Sequence, residues 1–233
     1  MSAELLQQYH KLLEMQEDLH PELQRHYSED DFPMLRHPLV YSVPHTPHLN
    51  AWANSAFESK KKIAERAVRD KDWSDYLIIH ERPYRLDALM EIMHLIEHDC
   101  EYWEQVGFVY TDSENIRQNV AEWNAVLSSE RGDREHIMNE ADREHLAELS
   151  ENEVVTIYRG CNSLDLSGFS WTLDRKIAEW FAKRHREIYG MKEVVIKTGQ
   201  VETADIIAYF TNRGEEEILV HPHKVMNVKK EAI

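Results

Sequence analysis

Apolar residues recur at helical spacing in five blocks of the first 150 positions: 3 to 18, about 51 to 70, about 86 to 104, 114 to 128 and 134 to 149. Between the first two, HPLVYSVPHTPHLN (37 to 50) is too dense in proline to be helical and reads as a turn-like connector. Near residue 150 the period shortens to two. VVTIYR (154 to 159), GFSWT (168 to 172), EVVIKT (193 to 198), TADIIAYF (203 to 210) and EILVHP (217 to 222) predict β-strands. One helix, about 174 to 187, interrupts them; Asp174 can cap it, and Ile177, Ala178 and Phe181 form the stripe that packs on a sheet. Helices first and strands late predict an α+β fold, a helical N-terminal half followed by a β-rich core at 151–233, rather than an alternating βαβ chain. No internal repeat or low-complexity tract interrupts the pattern.

Composition narrows the class. The 233 residues are 42% hydrophobic, enough for a sizeable core in one large domain or two small ones. A net charge of −16, from 43 acidic against 27 basic residues, disfavours a protein that grips a nucleic-acid backbone by bulk electrostatics. Cys100 and Cys161 are too few and too isolated for a disulfide framework or a cysteine zinc site. The opening MSAELLQQYHKLLEMQEDLH is amphipathic, with charges throughout, and no apolar run suits a membrane span, so the expectation is a cytoplasmic chain with no membrane partner.

The candidate chemistry lies on the strands. In VVTIYRG, Val155, Ile157 and Arg159 share one face, and Arg159 ends the strand beside Gly160, where a ligand can approach the backbone. An arginine at the end of an apolar strand suits a carboxylate or a phosphate. In GFSWT, Ser170 and Thr172 point to one side and Trp171 to the other. Glu215, Glu216 and Glu217 stand as three adjacent anions before an apolar strand; alternation puts Glu215 and Glu217 on one face and Glu216 on the other. Each feature alone is ordinary surface decoration. Their order, arginine then hydroxyls then Glu-x-Glu, argues for a functional constellation.

YRG (158 to 160), FSWT (169 to 172) with the helix DRKIAEWFAKR after it, and EEE (215 to 217) with ILV after it resemble the Arg, Ser-x-Ser/Thr and Glu-x-Glu motifs of the arginine–serine–glutamate class of mono-ADP-ribosyltransferases, to which bacterial toxins and bacteriophage-encoded enzymes belong. The resemblance covers residues 150 to 226. It implies a split β-sheet core, with a catalytic domain at 76–233 whose helices from 76 to 150 complete one wall of the cleft, and a helical N-terminal region at 1–75. It implies NAD as substrate, no metal, and catalysis by Glu217 and Glu215. Glu217 would stabilise the oxocarbenium-like state as the nicotinamide–ribose bond breaks, and Glu215 would orient and deprotonate the acceptor. Arg159 and Gly160 would bind NAD, Ser170 would hold Glu217, Thr172 would support the same wall, and Arg175 or Arg184 would give a second phosphate contact. Tyr209 and Phe210 would either meet the target or close the core. Glutamate at the first acidic position goes in this family with arginine acceptors on a target protein, and the family look suggests a phage or bacterial effector acting in a host cytoplasm. Trp171, bulkier than usual within the hydroxyl motif, should face away from the cleft.

Two other readings stay open. HLIEH (94 to 98) has the H-x-x-E-H spacing of a class of zinc hydrolases. On a helix, however, Asp87, Glu91, His94 and His98 would form a polar stripe opposite Leu89, Met93 and Ile96. HTPH (45 to 48) and HPH (221 to 223) lack clear metal partners, and Asp112 and Ser113 read as helix caps. The third reading is a non-catalytic helical binding module on a degenerate transferase fold, which the joint presence of Arg159, Ser170 and Glu217 opposes.

Overall fold

The computed structural model describes residues 17–30, 32–114, 116–165, 168–211 and 214–233. The helix expected at 3 to 18 falls outside them except for its last two positions, which carry no regular structure. The chain divides into two units, residues 1–97 with 109–114, and residues 98–108 with 115–233, so the division lies later than residue 75.

The first unit holds a short helical turn, α1 (Pro21–Gln24), and an antiparallel sheet of β1 (Tyr27–Ser28), β2 (Met34–His37) and β3 (Val40–Ser42) in that order. This sheet runs into the segment expected to be only turn-like. Its strands are two to four residues long, too short to display a period, and Pro44 and Pro47 both come after β3. The long helix α2 (Asn50–Asp70) matches its apolar block, and it buries Ala53, Phe57, Ala64 and Ala67 along one stripe. Ala53 and Phe57 join Leu19, Leu23, Leu35, Leu39 and Val40 in one cluster. Asp72 caps the next helix, α3 (Trp73–Ile79), its side chain accepting from the Asp75 amide.

The block at 86 to 104 is two helices, α4 (Arg85–Ile92) and α5 (Asp99–Asp112). No proline or glycine lies between them; the break follows from burial of Ile96 and from Asp99, whose carboxylate accepts from the Gly132 amide at 2.9 Å and pairs with Arg131. Similarly, the block at 114 to 128 narrows to α6 (Val120–Leu127), and the one at 134 to 149 becomes a 3₁₀ turn, Arg134–Ile137, followed by α7 (Glu140–Leu149). Asp112 and Ser113 stand at the end of α5 rather than at a helix start: Asp112 pairs with Arg82 and Arg85, and Ser113 Oγ donates to the Val109 carbonyl.

In the second unit, β4 (Val154–Asn162), β5 (Ser170–Thr172), β6 (Val194–Glu202), β7 (Ile206–Phe210), β8 (Glu217–Val220) and β9 (Met226–Ala232) form an antiparallel sheet in the order β7-β8-β5-β4-β6-β9. β9, exposed throughout, has no apolar alternation and is absent from the sequence reading. β4 pairs with β6 over nine residues, from Val154 opposite Glu202 to Asn162 opposite Val194. It pairs with β5 at one position, Tyr158 opposite Thr172. The strand order is therefore continuous, but two three-stranded halves meet at a single pair. The helix α8 (Arg175–Tyr189), capped by Asp174 onto the Lys176 amide at 2.7 Å, packs on β4 and β6.

Gly160 explains how closely. A Cβ there would lie 1.9 Å from the Ala178 carbonyl oxygen and 2.6 Å from the Ala182 amide, so glycine on the strand and two alanines on the helix bring backbone against backbone. No helix among the described residues is long and apolar enough to cross a membrane.

Candidate functional site

A cavity of about 200 Å³ opens where the two halves of the sheet meet. Arg159 and Gly160 from β4, Ser170 and Thr172 from β5, and Glu215 and Glu217 at the head of β8 all line it. Six residues spread over 59 positions of sequence thus reach one concavity. Neighbouring strands stand about 4.8 Å apart, which puts β4 and β8, with β5 between them, roughly 10 Å apart. The lining also takes in Ala178, Phe181 and His185 of α8, and Ile116 and Arg117 upstream.

The acidic side is built on register. Glu217 lies directly opposite Thr172, and Ser170 lies opposite Leu219. Paired residues project to the same face, so Thr172 is the hydroxyl residue across from Glu217, and Ser170 is one pleat removed. The Thr172 hydroxyl donates to the Glu215 carbonyl at 2.6 Å, while its oxygen accepts from the Asp174 amide at 3.1 Å. One threonine therefore ties the turn before β8 to the cap of α8. Glu216 adopts a left-handed conformation, φ 45°, and is exposed. That kink turns it to solvent while Glu215 and Glu217, both half-buried, line the cavity.

This turn has a second anchor. Asp142 of α7 is fully buried, and its carboxylate accepts from the Asn139 side chain at 2.8 Å, from the Thr211 amide at 3.0 Å and from the Thr211 hydroxyl at 2.6 Å. Thr211 directly follows β7, four residues before Glu215.

The cationic side centres on Arg159. One terminal nitrogen donates to the Ser170 carbonyl and the other pairs with Asp165 at 2.9 Å; Nε is buried with no hydrogen-bond partner among the described residues. A Cβ on Gly168 would lie 2.0 Å from Cζ of Arg159, so only glycine leaves room for the guanidinium. Arg117 pairs with the same oxygen of Asp165 at 2.8 Å, and the Lys197 ammonium donates to the Asp165 carbonyl. Lys197, directly opposite Arg159 in the β4–β6 register, is only 6% exposed. Nδ1 of His185 is also buried without a partner among the described residues, and burial, with the charges of Arg117 and Arg159 behind it, lowers the His185 pKa.

Several expected residues lie elsewhere. Arg175 pairs with Glu179 and Glu231, and the Arg184 guanidinium stacks over Trp180, 5.2 Å from the ring centre; neither lines the cavity. Tyr209 and Phe210 are each 5% exposed within β7, in the core. Trp171 contributes to the cavity wall, although its Nε1 donates to the Gly168 carbonyl and its ring reaches toward Gly199 of β6. His94 and His98 lie beyond the end of α4 at Ile92, so the helical i, i+4 geometry of a zinc pair is missing. Among the described residues no group of three or more His, Cys, Asp or Glu is arranged to hold a metal ion.

Arg117, Lys197, Asp165 and His185 escaped the sequence reading. Lys197 carried a signal, a charge inside the apolar run VVIKT, which requires a partner once the strand is central. Asp165 and Arg117 carried none, because they meet across a separation of 48 positions in the chain.

No family model matches the chain, and neither a curated protein nor a solved structure does.

Proposed function

We propose that the chain is a mono-ADP-ribosyltransferase that moves ADP-ribose from NAD to an acceptor, with arginine side chains of a target protein favoured. The observation that carries the reading is one cavity lined by an arginine with a free Nε, two strand hydroxyl residues and two carboxylates, Glu215 and Glu217, flanking a residue turned to solvent. This charge layout suits NAD, an anion at its diphosphate and a developing cation at the nicotinamide ribose. At about 200 Å³ the cavity is smaller than the 300–1,000 Å³ typical of enclosed ligand sites, so it would take one end of a dinucleotide and leave the rest at the surface.

In the proposed reaction the bond between nicotinamide nitrogen and ribose C1′ breaks, and its electron pair leaves with neutral nicotinamide. The ribose is left electron-poor. Glu217 stabilises that charge from a fixed position, held by its pairing with Thr172. The acceptor guanidinium attacks C1′, and Glu215 takes the proton it loses as the new N–C bond forms. Thr172, by accepting from one backbone group and donating to another, keeps the two carboxylates at a set spacing. No step requires a metal.

The test is transfer of label from adenylate-labelled NAD to bacterial lysate proteins, with a chelator present throughout. The account expects labelled bands with the wild type and none with Glu217→Ala. A wild type that labels nothing and releases no nicotinamide would refute it.

A further inference from the structure

Asp165 is the anion of a site that has more cationic donors than it uses. One carboxylate oxygen, Oδ2, serves both Arg117 at 2.8 Å and Arg159 at 2.9 Å. Lys197 reaches the same residue through its carbonyl. Two guanidinium groups therefore share one carboxylate oxygen, with an ammonium on the same residue's backbone carbonyl, within a chain whose net charge is −16. The surplus is specific: among the described residues Arg159 Nε is buried and donates to nothing, and Nδ1 of His185, which also lines the cavity, is buried without a partner. Guanidinium groups pair best with anions that offer several oxygens at once, as phosphates do. One carboxylate oxygen shared by two arginines leaves the Nε arm of the Arg159 fork unused.

We infer that the Asp165 carboxylate occupies the seat of a ligand's diphosphate, and that such a ligand enters by exchanging with it. The chain holds its own anion against Arg117 and Arg159 when no ligand is bound. A diphosphate brings more oxygens and more charge, reaches the unpaired Nε, and displaces the carboxylate toward solvent, while the Lys197 contact, which is to the backbone, does not depend on the side chain leaving. Asp165 thereby sets affinity: only the fraction of molecules with the fork open binds, and the apparent dissociation constant is raised by the reciprocal of that fraction. Both contacts being charge-assisted, that fraction is small. Arg117 becomes the second phosphate cation, in place of Arg175 and Arg184. The identity of the ligand as a dinucleotide rests on the transferase reading; the anion seat itself does not.

Titration calorimetry of the full chain with NAD, with inorganic pyrophosphate and with nicotinamide riboside, which has no phosphate, tests this. Asp165→Asn keeps the shape and removes the charge. It should bind NAD and pyrophosphate at least tenfold tighter than the wild type, with nicotinamide riboside unchanged. Arg117→Ala, whose side chain is 42% exposed and so dispensable to packing, should bind pyrophosphate at least tenfold more weakly. Pyrophosphate bound no tighter by Asp165→Asn, or no more weakly by Arg117→Ala, overturns the exchange. A gain that extends equally to nicotinamide riboside also overturns it, since a loosened cavity would explain it. Pyrophosphate responding as expected while no variant binds NAD upholds the anion seat and overturns the NAD reading.

Discussion

Gly160→Ala isolates the packing on which the cavity depends. The backbone of Gly160 lies outside the left-handed region, so alanine fits its conformation and would by itself stabilise the chain by about 0.4–1 kcal/mol through the unfolded state. Sterics oppose this. The new methyl would stand 1.9 Å from the Ala178 oxygen and 2.6 Å from the Ala182 nitrogen, two atoms that one turn of α8 joins by its own hydrogen bond. Both are backbone, so no rotamer change relieves the clash, and strand and helix must separate by about 1.5 Å to restore ordinary contact. Overpacking of this kind costs about 1–3 kcal/mol, and a disturbed helical hydrogen bond about 1 kcal/mol more. The net expectation is a loss of about 1–3.6 kcal/mol, or about 2–14 °C in midpoint at 2–4 °C per kcal/mol for a chain of this length. Urea and thermal unfolding followed by circular dichroism measure it. Because α8 also supplies Phe181 and His185 to the cavity, NAD binding should weaken in the same variant. A midpoint equal to or above the wild type would refute the close packing of β4 on α8.

Further outcomes follow from other residues. Asp142→Ala strips three accepted hydrogen bonds from a fully buried site and unties Thr211 ahead of Glu215; it should cost about 3 kcal/mol in urea unfolding and lower activity beyond what the fraction folded explains. His37 has its pKa pushed down to about 4, by burial first and the neighbouring His26 second, and its Nδ1 accepts the Leu39 amide. Its folded pKa lies below the unfolded value near 6.5, so its stabilising share is complete above pH 6.5 and is lost as pH falls toward 4, about 1–3 kcal/mol in all. His37→Gln should flatten that part of the stability profile in unfolding measured between pH 7 and 4; an unchanged slope would contradict the assignment.

How much of this was legible in the sequence depends on whether the determinant is local. The helix α8 was, because Asp174 caps it and Ile177, Ala178 and Phe181 give it a face within one short window. The long helix α2 was legible for the same reason. The split of 86–104 was not: Ile96 is pulled into the core and Asp99 is held by Gly132 and Arg131, more than thirty residues on. At the site, β-alternation placed Arg159, Ser170, Thr172 and Glu217 on strands, Glu215 lies in the bend just before β8, and all five line one cavity. Which hydroxyl residue faces Glu217 is a matter of register, which pairs it with Thr172 and which no single strand encodes. Gly160, read as an opening for a ligand, has the Ala178 carbonyl where its side chain would be. The anion between Arg117 and Arg159 likewise comes from the loop after β4, where nothing local distinguishes Asp165 from an ordinary turn residue.

The most direct test of the central claim is the rate of nicotinamide release from NAD by the purified chain, in parallel with transfer to an arginine acceptor, for the wild type, Glu217→Gln and Glu215→Gln. The account predicts that Glu217→Gln loses about 100- to 1000-fold in both reactions, the loss typical of removing one preorganised stabilising group. Glu215→Gln should lose transfer while keeping much of the hydrolysis. Release by the wild type that Glu217→Gln leaves intact, or no release by the wild type at all, would contradict it.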